Sequence, residues 1–407
     1  MRILVQKFGG TSLSDALSRA HAIHHIQHAL AESYALVVVV SAMGRRGDPY
    51  ATDTLLDLVR HQGNALPARE KDMLLGCGEI ISAAVLCSEL NALSIPAVVL
   101  TGGQAGIRTN DRYGNARIES IQPARILHQL GLGRVVIVTG FQGQSDEQDM
   151  TTLGRGGSDT SATALGAALK AEFVDIFTDV NGIFTADPRL VADAQSIVSV
   201  TYAEICNMAY QGAKVIHPRA VEIAMEANVP IRVRSTFTED LGTLVASPDS
   251  LRSLNQKLKD RHVTGIAHFP GLTQIRVTAG EGQYDLQLRV FKTMAQHQIS
   301  VDFINVNPSG IMYTVFDHEA DRASSMLRDL GYEPELLPGC VKVSVIGGGM
   351  NGVPGIMAQI VEALTEEDIL ILQSADSNTT IWVLVQQSDM VKAVRALHQK
   401  FQLHKTV

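Results

Sequence analysis

Ile3-Leu4-Val5-Gln6-Lys7-Phe8-Gly9-Gly10-Thr11-Ser12 places an apolar run, a lysine and paired glycines next to one another near the start of the chain. The apolar run predicts a strand, the glycines a tight turn, and the residues beyond a helix. Phosphate binding asks for this combination. Glycines admit backbone N–H groups close to phosphate oxygens, a helix N-terminus adds positive potential, and a lysine contributes a point charge. Gly-rich strand-to-helix turns are also common structural devices, so the reading depends on whether later segments need the same ligand.

Outward from this turn, strand and helix patterns alternate for about 245 residues. Ala35–Val40, Ala97–Leu100, Arg134–Val138 and Val174–Phe177 are apolar on both sides of the pleat. Such runs predict strands covered on both faces, hence an α/β fold with a mostly parallel sheet between helical layers. Ser161–Lys170, rich in Ala and free of Pro, is one of the predicted helices. Several strands run into Gly or small polar residues: Ser41-Ala42-Met43-Gly44, Thr101-Gly102-Gly103 and Thr139-Gly140-Phe141. Ligands of open α/β sheets bind beyond the carboxyl ends of the strands, so these segments are expected to wall a site.

The texture changes after the hairpin-like pair Ile231–Arg234 and Thr243–Val245. Residues 1–246 are read as one domain and the polar stretch 247–262 as a linker. Two units of similar order then follow, strand, helix, strand, strand, helix, over 263–337 and 338–407. The second unit runs out of chain before its last strand, and Thr264–His268 is expected to supply it, interleaving the two.

Composition narrows the function. The chain has 407 residues, 45% hydrophobic and 19% charged, and a formal net charge of -8, which argues against wrapping nucleic acid. No uninterrupted apolar run approaches the roughly 18 residues that span a bilayer, and no signal-peptide pattern opens the chain. Cys77, Cys87, Cys206 and Cys340 form no CxxC pair, so reduced thiols and a cytoplasmic location are expected.

Three later motifs call for the ligand of the first turn. Gly154-Arg155-Gly156-Gly157-Ser158-Asp159-Thr160 opens the Ala-rich helix with an anion-binding nest, and Ser158 or Asp159 is a candidate cap. Arg155 and Asp159 bring opposite charges into one turn, which suits a zwitterion: Arg holds a carboxylate bidentately and Asp an ammonium. Phe177–Arg189 runs from a strand into a loop dense in Asp, Asn, Gly and Pro, with Asp179 at the strand's carboxyl end. Gly212–Pro218 adds a second lysine, Lys214, a candidate electrophilic clamp. Two apparent motifs are set aside. Gly347–Gly352 satisfies G-x-G-x-x-G, but too little chain follows for a dinucleotide domain. His21, His24, His25 and His28 share helical spacing, but no Cys, Asp or Glu of that helix face completes a zinc site. No GxxxxGK[ST] occurs, and the protein-kinase motifs are missing as well.

Taken in order, Lys7–Ser12, Val39–Gly44, Gly78-Glu79, Gly140-Phe141, Gly154–Asp159, Thr178–Arg189 and Gly212–Pro218 resemble the aspartate kinases of the amino-acid kinase family. The likeness runs the length of the chain, and the C-terminal units look like that family's tandem ACT domains, of α+β ferredoxin-like fold. Through Ser41–Asp53 and Ser374–Val385 it is nearest to the diaminopimelate-sensitive isoenzymes of spore-forming Gram-positive bacteria. The resemblance implies transfer of the ATP γ-phosphoryl group to the side-chain carboxylate of L-aspartate, with Mg²⁺ carried mainly by the phosphates. It implies that Lys7 stabilises the transferring group, that Gly9 and Gly10 donate N–H groups, and that Asp159 orients the cations or binds the substrate ammonium. Arg155 would grip the α-carboxylate, with Ser41, Thr52, Glu79, Phe141 and Ser158 around the substrate. Thr178, Asp179, Phe184, Asp187, Arg189 and Lys214 would hold ATP. It further implies feedback by an amino acid (diaminopimelate, lysine or threonine) bound at the ACT pair, with Asn305, Ser374, Asp376 and Asn378 as polar contacts, and a homodimer or higher oligomer. The first C-terminal unit lacks the Pro-Gly turn that the second has at Pro354-Gly355, carrying Gly280–Asp285 there instead. Kinases of related acids, and a non-catalytic amino-acid sensor on the same fold, are the alternatives; the intact Lys7, Arg155, Asp159 and Lys214 weigh against the sensor.

Overall fold

The computed structural model describes residues 1–60, 66–213, 215–253, 262–280, 285–350 and 352–405. Lys214, most of the Gly280–Asp285 turn and the later part of the expected linker lie outside the described residues. The chain forms two compact units. The first comprises Met1–Ile183, Ser196–Ala209 and the described residues of 214–259; the second comprises Phe184–Gln195, Tyr210–Ala213 and the described residues of 260–407.

The first unit is built on an eight-stranded sheet, ordered Ser199–Thr201, Thr243–Ala246, Ile231–Ser235, Phe173–Thr178, Ile3–Phe8, Ala35–Val40, Val135–Thr139, Ala97–Leu100. Only the pairing of Ile231–Ser235 with Thr243–Ala246 is antiparallel. Its central strands are buried on both faces, Val37 to Val40 completely, which is why they read as unbroken Val runs. Lys7 belongs to the first strand itself, opposite Val39 and Ile176, rather than to the turn after it.

Register decides where the loops emerge. Phe8 pairs with Val40 and with Phe177, and Val40 pairs with Thr139, so these four residues form one row across the sheet. Of the next residues, Gly9, Ser41 and Gly140 therefore leave the sheet side by side, and Thr178, the last of its strand, lies level with them. Beneath them Phe8 stacks on Phe177 at 4.7 Å between centroids, and the buried His25 ring lies 4.5 Å from Phe177 with Nε2 bonded to Thr236 O at 3.0 Å. His25 is thus a satisfied core residue. Its neighbour His24 does meet an acid, Glu239 at 2.9 Å, which comes from a distant loop and not from the helix face the sequence pattern considers.

The helix Ala68–Ala92, 25 residues long, is apolar enough by length and composition to cross a membrane. Here Ala83, Leu86 and Leu90 join the core of the central strands with Leu4, Phe8 and Val38. Asp72 and Glu79 are buried on the same helix.

In the second unit, the expected strands Thr264–His268 and Gln274–Val277 are parts of one strand, Gly265–Thr278. Its first part pairs with Lys342–Ile346 and its second with Gly310–Phe316, all antiparallel. One six-stranded sheet results, with Asp302–Asn307 and Gln373–Asp376 as its edge strands. Helices Leu286–Gln296 and Asp317–Asp329 cover one part of it, and Ile356–Thr365 and Met390–Lys400 another. Pro248–Ser253, inside the expected linker, is helical.

A smaller sheet of the first unit, Ile118–Ile121, Ile107–Thr109, Gln142–Gln144 and Met150–Thr152, is tied to the long helix by Asp72. That fully buried carboxylate accepts from Thr152 N (2.7 Å), Thr152 Oγ1 (2.8 Å) and Gly114 N (2.9 Å). Removing it strands buried donors, so Asp72→Ala is expected to cost about 2–4 kcal/mol of unfolding free energy in a urea titration. A loss below about 1 kcal/mol would show that the donors find other partners.

Candidate active site

The loops leaving the row of strand ends enclose a cleft of about 740 Å³. Its wall is built from Lys7 and Gly10, from Ser41, Ala42 and Gly44, from Thr52 and Asp53, and from Gly154 through Asp159, with Glu79, Gly114 and Phe141 completing it. Nine of the residues singled out from the sequence thus meet in one place: Lys7, Gly10, Ser41, Thr52, Glu79, Phe141, Arg155, Ser158 and Asp159.

At the centre, Lys7 Nζ lies 2.8 Å from Asp159 Oδ1, with side-chain exposures of only 11% and 13%. The contact is a close ion pair, and among the described residues Oδ1 is buried with no donor other than that ammonium. Both groups keep capacity for a further charged partner. The sequence suggests Ser158 or Asp159 as a helix cap; instead Gly156 holds the N-cap position of Gly157–Leu169, at φ +66°. A β-carbon there would sit 2.3 Å from the His217 ring, so the site requires glycine on both counts. Freed from capping, Asp159 in the first helical turn points its carboxylate at Lys7.

Gly10 is equally constrained. A β-carbon would fall 2.5 Å from Gly44 O, and Gly44 N donates to Gly10 O at 2.9 Å, so the first two turns are bonded to each other. Phe141, a non-glycine residue at φ +68°, is held there by its N–H donating to Ser161 Oγ (3.1 Å) and its carbonyl accepting from Leu153 N (2.9 Å). Such strain persists where surrounding contacts over-determine it, commonly at functional sites.

Glu79 is 2% exposed, and burial pushes its carboxyl up to about 8. Oε1 accepts from Ala42 N at 3.2 Å. The Gln142 amide lowers the value slightly but donates its own bond to Gly76 O (2.7 Å), which leaves Oε2 buried without a formed partner. Arg155 is exposed on the cleft wall and makes no ion pair among the described residues.

Arg45 and Arg46, which sequence reasoning passed over, also line the cleft. Arg45 meets Asp179 at 2.5 Å, and Arg46 binds Asp57 through two contacts of 3.0 Å. Two arginines directly after a strand's carboxyl end were the available signal. Gly114 arrives from the small sheet, carried there by Asp72, and nothing local announces it. Gly9 adjoins Lys7 Nζ and Phe177 O. Thr178 spends its hydroxyl on Val180. Phe184, Asp187 and Arg189 fall in the segment that packs with the second unit, where Arg189 chelates Asp187 and holds its carboxyl below the usual range. Asn305 lies on one edge strand of the six-stranded sheet, Ser374 and Asp376 on the other, and Asn378 just beyond; all four are exposed.

A model of the amino acid kinase family matches residues 2–235, and one of the ACT domain matches residues 335–399. Aspartokinase 1 of Bacillus subtilis (strain 168) is 55% identical over 405 residues, which span all of both chains. Among solved structures, Escherichia coli aspartokinase III in complex with aspartate and ADP, in an R-state, is 26% identical with a TM-score of 0.79, over 98% of this chain and 99% of that one. The same enzyme with lysine and aspartate, in a T-state, gives 26% and 0.75 over 98% and 100%. The parallel sheet, the phosphate-type turns and the zwitterion-ready cleft agree with these likenesses, and the chain belongs to the amino acid kinase family, within its aspartokinases: an ATP-dependent phosphotransferase acting on aspartate, with an ACT domain suited to allosteric regulation.

Proposed function

We propose that the Lys7–Glu79–Asp159 cleft is where aspartate meets the γ-phosphoryl group, yielding 4-phospho-L-aspartate. The observation that carries this reading is one cleft holding a buried Lys7–Asp159 pair, an unpaired arginine and a buried carboxyl with an unfilled oxygen. Arg155 takes the α-carboxylate of aspartate, and Glu79, with Ser41, Thr52, Phe141 and Ser158 around it, takes the ammonium. The side-chain carboxylate is itself the nucleophile, so no strong base is needed, and the rate comes from positioning and charge neutralisation. Lys7 draws charge from the transferring phosphoryl oxygens while the Gly9 and Gly10 N–H groups face them, and Asp159 keeps the ammonium of Lys7 in place. Thr178, Asp179, Phe184, Asp187, Arg189 and Lys214 contact ATP. Mg²⁺ arrives on the ATP phosphates. Asp159 meets Lys7 through Oδ1, so its second oxygen is the one that would face the ion or its waters, and one carboxylate suits an ion that keeps most of its waters.

An amino-acid effector, diaminopimelate before lysine or threonine, acts through Asn305, Ser374, Asp376 and Asn378. The exposed edge strands, with Ile304 and Val306 outward on one of them, support pairing of two or more copies. The domain limits 1–246, 263–337 and 338–407 and a cytoplasmic location complete the reading, the latter in keeping with four free cysteines.

Hydroxylamine trapping of acyl phosphate, with Mg-ATP and aspartate, glutamate or acetylglutamate in parallel, tests it. Turnover is expected on aspartate alone, suppressed by diaminopimelate. Turnover on another acid would discard the substrate, and indifference to all three amino-acid effectors would discard the regulation.

Ammonium binding needs Glu79 ionised, and its carboxyl is raised to about 8 in the empty cleft. Below that value, binding must first expel a proton, so affinity improves as pH rises towards it and levels off above. The KM for aspartate is expected to fall roughly fivefold from pH 7 to pH 8 and about twofold more by pH 9. Glu79→Gln flattens the profile and raises KM throughout. A flat wild-type profile would remove Glu79 from the ammonium.

A further inference from the structure

Among the described residues, one cluster of metal-ligating side chains outside the cleft is left unused by the reaction. Asp193, His398 and His404 each bring a ligand atom to a common point, all within 4.8 Å of one another. All three belong to the second unit. His398 lies on the helix Met390–Lys400, His404 in the turn after it, and Asp193 in the segment Phe184–Gln195.

The scaffold around the cluster is fixed. Ala186 and Val191 share an apolar core with Val394, Leu397 and Leu403, and Arg395 Nε donates to Leu190 O at 2.7 Å. His398 is 1% exposed, and its Nε2 is engaged by Thr185 Oγ1 at 2.9 Å, which leaves Nδ1 facing Asp193 Oδ1 at 3.9 Å. Thr185 is itself held by the Gln195 N–H at 3.0 Å. His404 Nδ1 is buried and has no hydrogen-bond partner among the described residues. A buried imidazole nitrogen without a donor or acceptor is costly unless something else occupies its lone pair.

We propose that Asp193, His398 and His404 bind a divalent transition-metal ion of the zinc type, through two imidazole nitrogens and one carboxylate oxygen. Imidazole with carboxylate favours Zn²⁺, Co²⁺ or Ni²⁺ over Mg²⁺ and Ca²⁺, which prefer oxygen alone. Three protein ligands leave a fourth position for water. Ligand atoms around tetrahedral zinc stand about 3.3 Å apart, so separations of up to 4.8 Å close by at most about 1.5 Å on binding. The exposed Asp193 side chain makes that movement while His398 stays anchored. The Nε2–H of His398 then donates to Thr185 Oγ1, the outer contact that fixes the tautomer of a ligating histidine. The ion staples the segment Phe184–Gln195 to the C-terminal helix.

The test uses the full chain, stripped with EDTA, dialysed and titrated with Co²⁺. One equivalent is expected to develop visible ligand-field bands that Zn²⁺ abolishes and Mg²⁺ leaves intact. His404→Ala and, independently, Asp193→Asn are expected to abolish the bands, while His24→Ala keeps them. Zn²⁺ is also expected to raise the melting temperature of the wild type and not that of His404→Ala. Asp193 is exposed, so Asp193→Asn reports on the site even if His404→Ala folds poorly. No spectrum in the wild type, or bands that survive both substitutions, overturns the proposal.

Discussion

A lysine ammonium 2.8 Å from a carboxylate, both nearly out of water, is the contact around which the cleft is arranged. Taking two charges into a protein interior is expensive, and the expense is met only where geometry and further polar partners compensate. Here the geometry comes from two elements that the sequence keeps far apart. Lys7 is fixed by strand register, opposite Val39 and Ile176, and Asp159 by the first turn of a helix that starts at a left-handed glycine. The pair has room for more, because no donor other than the Lys7 ammonium reaches Asp159 Oδ1 among the described residues. A site with spare charge capacity on both partners is prepared for a ligand carrying both signs, as aspartate with Mg-ATP does.

The rest of the unit holds that contact in place. The row Phe8, Val40, Thr139 and Phe177 sets four loops level at the sheet's carboxyl edge. The Gly10–Gly44 backbone bond ties two of them, and Asp72 brings Gly114 to the same cleft from a separate small sheet. The long helix that carries Asp72 also delivers Glu79, so one element positions both an anchor and a titrating group. Glu79 shows the consequence of burial without a full set of donors: a carboxyl that stays protonated near neutrality until a cation arrives.

Much of this was legible in the sequence because it depends on local chemistry. Unbroken Val runs, Gly-rich strand ends and the Arg155–Asp159 spacing are dictated by backbone geometry and by charge within single turns, and they led to the sheet and to most of the cleft wall. What was not legible depends on tertiary approach. Asp159 reads as a candidate cap or as the holder of a ligand ammonium, and its contact with Lys7 shows only once strand and helix are brought together. The Gly114 contribution exists only through Asp72, and His24 meets Glu239 only because a remote loop folds over the first helix. Thr264–His268 and Gln274–Val277 looked like two strands because Phe269–Gly271 interrupts the alternation; a register shift between Phe269 and Leu272 lets one strand run through. Asp193, His398 and His404 share no periodicity at all, and only packing of the Phe184–Gln195 segment on the last helix unites them.

The central claim is that Lys7 and Asp159 act as one unit, and a double-substitution cycle on turnover tests it most directly. Steady-state kcat would be measured for Lys7→Met, Asp159→Asn and the double variant, each at saturating aspartate and Mg-ATP. Groups that work only together give strongly non-additive losses. The account predicts a double variant within about tenfold of the worse single variant. Losses that multiply would mean that the two residues contribute separately, and the ion pair would then be a feature of the empty cleft alone.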